Sequence, residues 1–216
     1  MKRFASLILL LVVVSTACAA GGGGAENVDL ENGILFQDDF SDVDSGWDRA
    51  TSDNSVTDYQ NDAYHIAIST NNYGAWTNPY RAFVDVSVEV DTTLIGGSED
   101  NAFGIICRYA DINNFYLGMI SSDGYYGFFQ RNEGELEFLN MESMEASEAI
   151  NLGGANNTLR MDCVGNTLSL YVNGTFLGET TDDRLGSGDV GLYAKTFEVS
   201  STDVQFDNFV VSEPGE

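Results

Sequence analysis

Carboxylates are the most abundant reactive groups of this 216-residue chain, with 34 Asp and Glu against 9 Lys and Arg and a single His. Cleaving a glycosidic bond takes two carboxyls set about 5 to 10 Å apart across it, one protonated and one ionised. Glu89-Val90-Asp91 and Glu135-Leu136-Glu137 offer such pairs, but among so many acids each is equally expected as the solvated face of a strand. His65 stands alone, which excludes a His cluster for a transition metal and a Ser-His-Asp triad. Oxygen-rich Ca²⁺ chemistry is compatible with the composition; Asp42, Asp44 and Asp48 cluster, though without the Gly and Glu of an EF-hand loop.

Sugar binding asks for different residues: aromatic rings to lie on pyranose C–H faces and planar polar groups beside them for hydroxyls. If Cys107 points into the core, alternation turns Arg108 outward, and Tyr116 faces opposite to Phe115 and Leu117. Tyr126 and Gln130, from Tyr125-Tyr126-Gly127-Phe128-Phe129-Gln130, join the same wet face. Arg108, Tyr116, Tyr126 and Gln130 thus form the expected ligand patch, with Trp76 and Tyr80 from a loop at its rim.

The elements that must position these groups are strands. Period-two alternation recurs along the chain, most clearly where Val84, Val86, Val88 and Val90 share one face and Asp85, Ser87, Glu89 and Asp91 the other. Similar runs cover 34–40, 55–59, 64–69, 102–109, 114–121, 125–131, 135–139, 158–163, 167–173, 175–179, 190–194 and 204–212. Turn-forming pairs separate them; Asn173-Gly174, between Leu168–Val172 and Thr175–Leu177, is the strongest hairpin signal. Met141 to Ala149 is the one segment with a helical reading. A dozen short strands without intervening helices predict an all-β, two-sheet antiparallel sandwich running from about residue 33 to 213.

With 43% hydrophobic residues the chain is too apolar to be a disordered acidic segment, and it lacks the basic stripe that nucleic acid or anionic headgroups require. Met1-Lys2-Arg3 precedes eight apolar residues, Leu7 to Val14, and then small ones, the pattern of an export signal over residues 1–17. Cleavage removes Lys2 and Arg3, so the mature chain is more acidic still. Val14-Ser15-Thr16-Ala17-Cys18 resembles a bacterial lipobox with Ser15 where Leu is usual, making Cys18 the lipidation site and residues 18–32 a glycine-rich tether. Ala17-Cys18-Ala19 also fits ordinary signal-peptidase cleavage, so the expected cell-envelope lipoprotein has a secreted soluble protein as its alternative. In an oxidising compartment the remaining pair, Cys107 and Cys163, is expected to form a disulfide.

The order of Phe36–Phe40, Phe103–Tyr109, Asn113–Leu117, Asn157–Arg160, Val164–Leu168, Tyr171–Gly174, Gly188–Leu192 and Phe206–Phe209 resembles the concanavalin A-like lectin and glucanase jelly rolls, especially their laminin-G-like and 3-keto-disaccharide hydrolase branches. The resemblance implies two stacked sheets, one concave, with the first and last strands as neighbours. It therefore implies that Asp38 and Asp39 lie near Asp207, a candidate structural Ca²⁺ set; no other cofactor is expected. It also makes the ligand patch concave. The retaining glucanases of this superfamily carry an E-x-D-x-x-E-like strand, and Glu89-Val90-Asp91-Thr92-Thr93-Leu94 lacks the second Glu. The expectation is an exported, lipid-anchored module that binds carbohydrate or a surface glycoconjugate without catalysis. The alternatives are an enzyme of the 3-keto-disaccharide hydrolase type and a structural or adhesive surface domain.

Overall fold

The computed structural model describes residues 33–198 and 201–215. The segments expected to be an export signal, a lipidation site at Cys18 and a tether lie outside the described residues. In chain order the strands are β1 (Ile34–Asp38), β2 (Ala50–Thr51), β3 (Ser55–Tyr59), β4 (Tyr64–Ile68), β5 (Gly74–Thr77), β6 (Ala82–Phe83), β7 (Val86–Gly97), β8 (Asn101–Asp111) and β9 (Asn114–Ile120). They continue with β10 (Tyr125–Asn132), β11 (Glu135–Phe138), β12 (Glu145–Ala146), β13 (Asn157–Val164), β14 (Thr167–Val172), β15 (Thr175–Thr181), β16 (Gly188–Thr196) and β17 (Thr202–Ser212). No helix occurs among the described residues. The expected helical reading of Met141 to Ala149 is corrected: Glu145 and Ala146 pair with Tyr126 and Tyr125, because an unpaired edge of β10 is there to be satisfied.

A nine-stranded sheet runs β15-β14-β13-β7-β17-β4-β3-β2 with β1 added on β17, and an eight-stranded sheet runs β11-β10-β9-β8-β16-β5 with β12 on β10 and β6 on β16. The first and last strands are neighbours, with Asp38 opposite Phe209. The hairpin between β14 and β15 turns on Asn173 and Gly174, both at positive φ (51° and 76°), the geometry that matches strand twist. Val86, Val88 and Val90 point into the core as alternation requires, while Val84 lies before the strand begins and is 62% exposed, a correction to its expected dry-face placement.

The core between the sheets is aromatic at one end, where Phe40, Trp47, Tyr59, Tyr64 and Phe209 pack at centroid distances of 4.8 to 6.2 Å. The buried Asp38 carboxylate serves this cluster, accepting Trp47 Nε1–H at 2.9 Å and the Phe40 amide at 2.8 Å. Cys107 on β8 and Cys163 on β13 form the expected disulfide, which ties one sheet to the other across the core.

Candidate functional site

A second apolar cluster sits apart from this core, on the outer face of the eight-stranded sheet. Alternation divides β8, β9, β10 and β16: Phe103, Ile105, Tyr116, Phe128 and Leu192 face the other sheet, while Ile106, Phe115, Leu117, Met119, Phe129 and Tyr193 face away from it. Trp76 on β5 is the cross-strand partner of Tyr193 on β16, and their rings stack at 6.2 Å with 13° between planes. Trp76 also reaches Phe115 on β9 at 5.8 Å, although β16 and β8 lie between. Gly104 continues the Trp76–Tyr193 cross-strand row and lets β9 approach closely, since a Cβ there would fall 2.1 Å from the Gly118 carbonyl oxygen. Tyr109 stacks on Phe115 at 5.3 Å, and Gly74 is needed at its place because a Cβ there would fall 2.0 Å from the Tyr193 hydroxyl. The Arg131 guanidinium lies 5.1 Å above the Trp76 ring. The result is a half-buried Trp76 on a floor of fully buried rings, Phe115 and Tyr193, with a cation above it.

The ligand patch expected from alternation is corrected. Arg108 is 2% exposed and Tyr116 1% exposed, and Tyr116 packs beside Cys107 in the core between the sheets. The alternation fails at Arg108, whose φ of 53° marks a bulge where the β8–β9 register shifts. Its Nη1 donates to the Leu185 carbonyl at 2.8 Å, and Tyr116 donates to Asp182 while accepting the Leu185 amide at 3.1 Å. The pair therefore clamps the 182–185 segment and offers no surface. Tyr126 and Gln130 are also buried, their side chains donating to Glu145 at 2.9 Å and Glu137 at 2.7 Å. Trp76, expected in a rim loop, is instead in β5 on the aromatic face. Tyr80 is at a rim, 71% exposed, and its hydroxyl donates to Asp48. Tyr193, Phe115, Tyr109 and Arg131 were missed; the signal for Phe115 and Tyr193 is that Phe115–Ile120 and Val190–Ala194 are continuous apolar runs, the mark of strands dry on both faces.

Neither a protein-family model nor a curated protein sequence matches the chain. Solved structures do. The carbohydrate-binding module CBM66 from Bacillus subtilis superposes with a TM-score of 0.63 at 16% identity, over 78% of this chain and 96% of that one. The Bacillus licheniformis β-glucanase gives 0.56 at 13% identity, over 83% and 98%. A Bacteroides ovatus mixed-linkage-glucan GH16 protein gives 0.58 at 9% identity, over 82% and 100%. The chain is a jelly-roll β-sandwich. Identities this low establish the fold alone, and function must be argued from the sites this jelly roll carries.

Of the acids that could form a catalytic pair or a Ca²⁺ set, Asp38, Asp39, Asp91 and Asp207 are engaged by hydrogen bonds, and burial together with the charges of Asp91, Asp39 and Asp62 raises the pKa of Asp207. Glu89 and Asp91 are on the outer face of the nine-stranded sheet, with Asp91 accepting from Thr158 at 2.5 Å and Asn208 at 3.0 Å. β1 and β17 adjoin as the resemblance implies, but Asp38 is held by Phe40 and Trp47, Asp39 by Ser41 at 2.7 Å and Asp207 by the Asn208 amide at 2.7 Å. Among the described residues no three His, Cys, Asp or Glu side chains are grouped to hold a metal. His65 is on the same outer face but buried, with Nδ1 3.5 Å from Asp203 Oδ1.

One carboxyl beside the aromatic face is out of the ordinary. Asp189, the cross-strand partner of Tyr109, is pushed up to about 6 by burial, against the pull of the Arg81 and Val190 amides at 2.7 and 2.8 Å. The folded state then binds a proton more tightly than the unfolded chain, so the contribution of Asp189 to stability is full below pH 4 and is lost as pH rises to 6. Replacing it by Asn keeps an oxygen acceptor for both amides and removes the titration. We expect D189N to be more stable than the parent at pH 7 relative to pH 4, by about 2 to 3 kcal/mol at most. Denaturant melts at both pH values check this, and an unchanged pH dependence would refute it.

Proposed function

We propose that the protein binds carbohydrate without turning it over, on the outer face of the eight-stranded sheet. The observation that carries this reading is the pair of half-buried rings Trp76 and Tyr109, backed by the fully buried rings of Tyr193 and Phe115, with the Arg131 guanidinium lying against the Trp76 face. A guanidinium so placed is worth about 0.5 to 1 kcal/mol at an exposed ring, so a sugar can displace it cheaply and then accept hydrogen bonds from it. The groove of about 550 Å³ on the nine-stranded sheet is less suited. Its one ring, Tyr171, is covered by Arg160 at 3.9 Å, and Arg160 is anchored again by Asp162 at 3.2 Å. That structures of the same fold include a carbohydrate-binding module and a β-glucanase supports the choice of ligand class.

On this reading the domain works outside the cell, tethered through Cys18. The test is a glycan array followed by calorimetry and product analysis of every hit. Binding that leaves the glycan intact is the expected result. Released products would favour the hydrolase reading, with Asp189 the carboxyl to replace first; silence on the array would favour an adhesive role.

A further inference from the structure

Taking the aromatic face as the binding site, we infer that its saccharide is anionic, bearing carboxylate or sulfate groups that Arg131 and Lys195 hold. The chain has 34 acids for 9 bases, so a cation without an acid nearby is the unusual case. Arg49, Arg108, Arg160 and Arg184 each lie within 2.6 to 3.5 Å of an Asp oxygen. Arg131 and Lys195 have no such partner among the described residues; each lies instead over a ring, Trp76 at 5.1 Å and Phe197 at 5.0 Å.

Both belong to the aromatic face. Lys195 follows Tyr193 by two residues on β16 and so points to the same side, opposite Gly74 and Ala102. Arg131 is the cross-strand partner of Phe115, and its charge acts on the Tyr193 hydroxyl. The two cations thus bracket the Trp76–Tyr193 pair. Each is also incompletely served: Arg131 Nε is buried without a hydrogen-bond partner, and half-burial pulls the Lys195 ammonium below its usual value. An anionic group seated between them would supply the missing acceptors, with Arg131 able to grip carboxylate or sulfate through two parallel hydrogen bonds. The strongly negative whole chain does not forbid this, because charges more than about 8 Å apart are largely screened at physiological salt.

The test is an array of acidic oligosaccharides, uronic-acid-bearing and sulfated, each printed beside its carboxyl-reduced or desulfated partner. The expected result is binding to acidic members about tenfold or more above their neutral partners, with the preferred anion separating carboxylate from sulfate. Arg131→Gln and Lys195→Gln should each erase most of that ratio, and Arg131→Lys should restore part of it, while circular dichroism melts confirm that all three fold. Equal binding to the neutral partners, or an unchanged ratio in both Gln variants, overturns the charge inference and leaves the carbohydrate site standing. No binding to any member overturns both.

Discussion

Replacing both Cys107 and Cys163 by Ala is expected to lower stability by about 4 kcal/mol, the chain-entropy value for a loop of the 56-residue separation the bridge closes. For a domain of this size that is roughly 10 °C in melting temperature. The bridge matters because it joins β8 to β13 across the core, so without it the unfolded chain is free to separate two segments that belong to different sheets. Calorimetry of the double variant beside the parent reads the effect directly. Equal melting temperatures would mean that the bridge contributes nothing to holding the sandwich together.

The second large effect separates two sets of residues that look alike in sequence. Tyr116→Ala should cost about 3 to 5 kcal/mol, since it empties a fully buried ring site and frees the 182–185 segment from its hydroxyl. Trp76→Ala should leave the fold standing and weaken glycan binding by about 2 kcal/mol, roughly thirtyfold in Kd. Paired melts and titrations of the two variants are the check. Lost binding in a fully stable Tyr116→Ala protein, or full affinity in Trp76→Ala, would return the site to the buried side and remove the aromatic face from consideration.

The residues that expose this difference also explain what was legible beforehand. Where one face of a strand is wet the sequence states its orientation: β7 alternates Val with Glu and Asp, and β13 alternates Leu159, Met161 and Cys163 with polar partners. Most of the nine-stranded sheet could therefore be read, hairpin at Asn173-Gly174 included, though not the two-residue β2 or the exposed Val84. The eight-stranded sheet has apolar residues on both faces, as in Ile105-Ile106-Cys107 and Phe115-Tyr116-Leu117, all of them buried. Alternation still says that Tyr116 opposes Phe115, yet nothing local says which of the two looks inward. At Arg108 even the alternation breaks, because one left-handed residue inserts a bulge.

By itself, then, the sequence determined the fold class, most of the strands and the cysteine pair, because backbone pairing and one-sided burial leave a period of two that survives in the residue order. The tertiary structure alone decided which aromatics pack between the sheets and which lie on the outer face, where Trp76 and Tyr109 reach solvent over buried Tyr193 and Phe115. That choice depends on which sheet each dry face meets, and on a four-residue strand, Gly74–Thr77, that carries Trp76 across two intervening strands to Phe115. Contacts between residues so far apart in the chain follow from packing, and no local period encodes them.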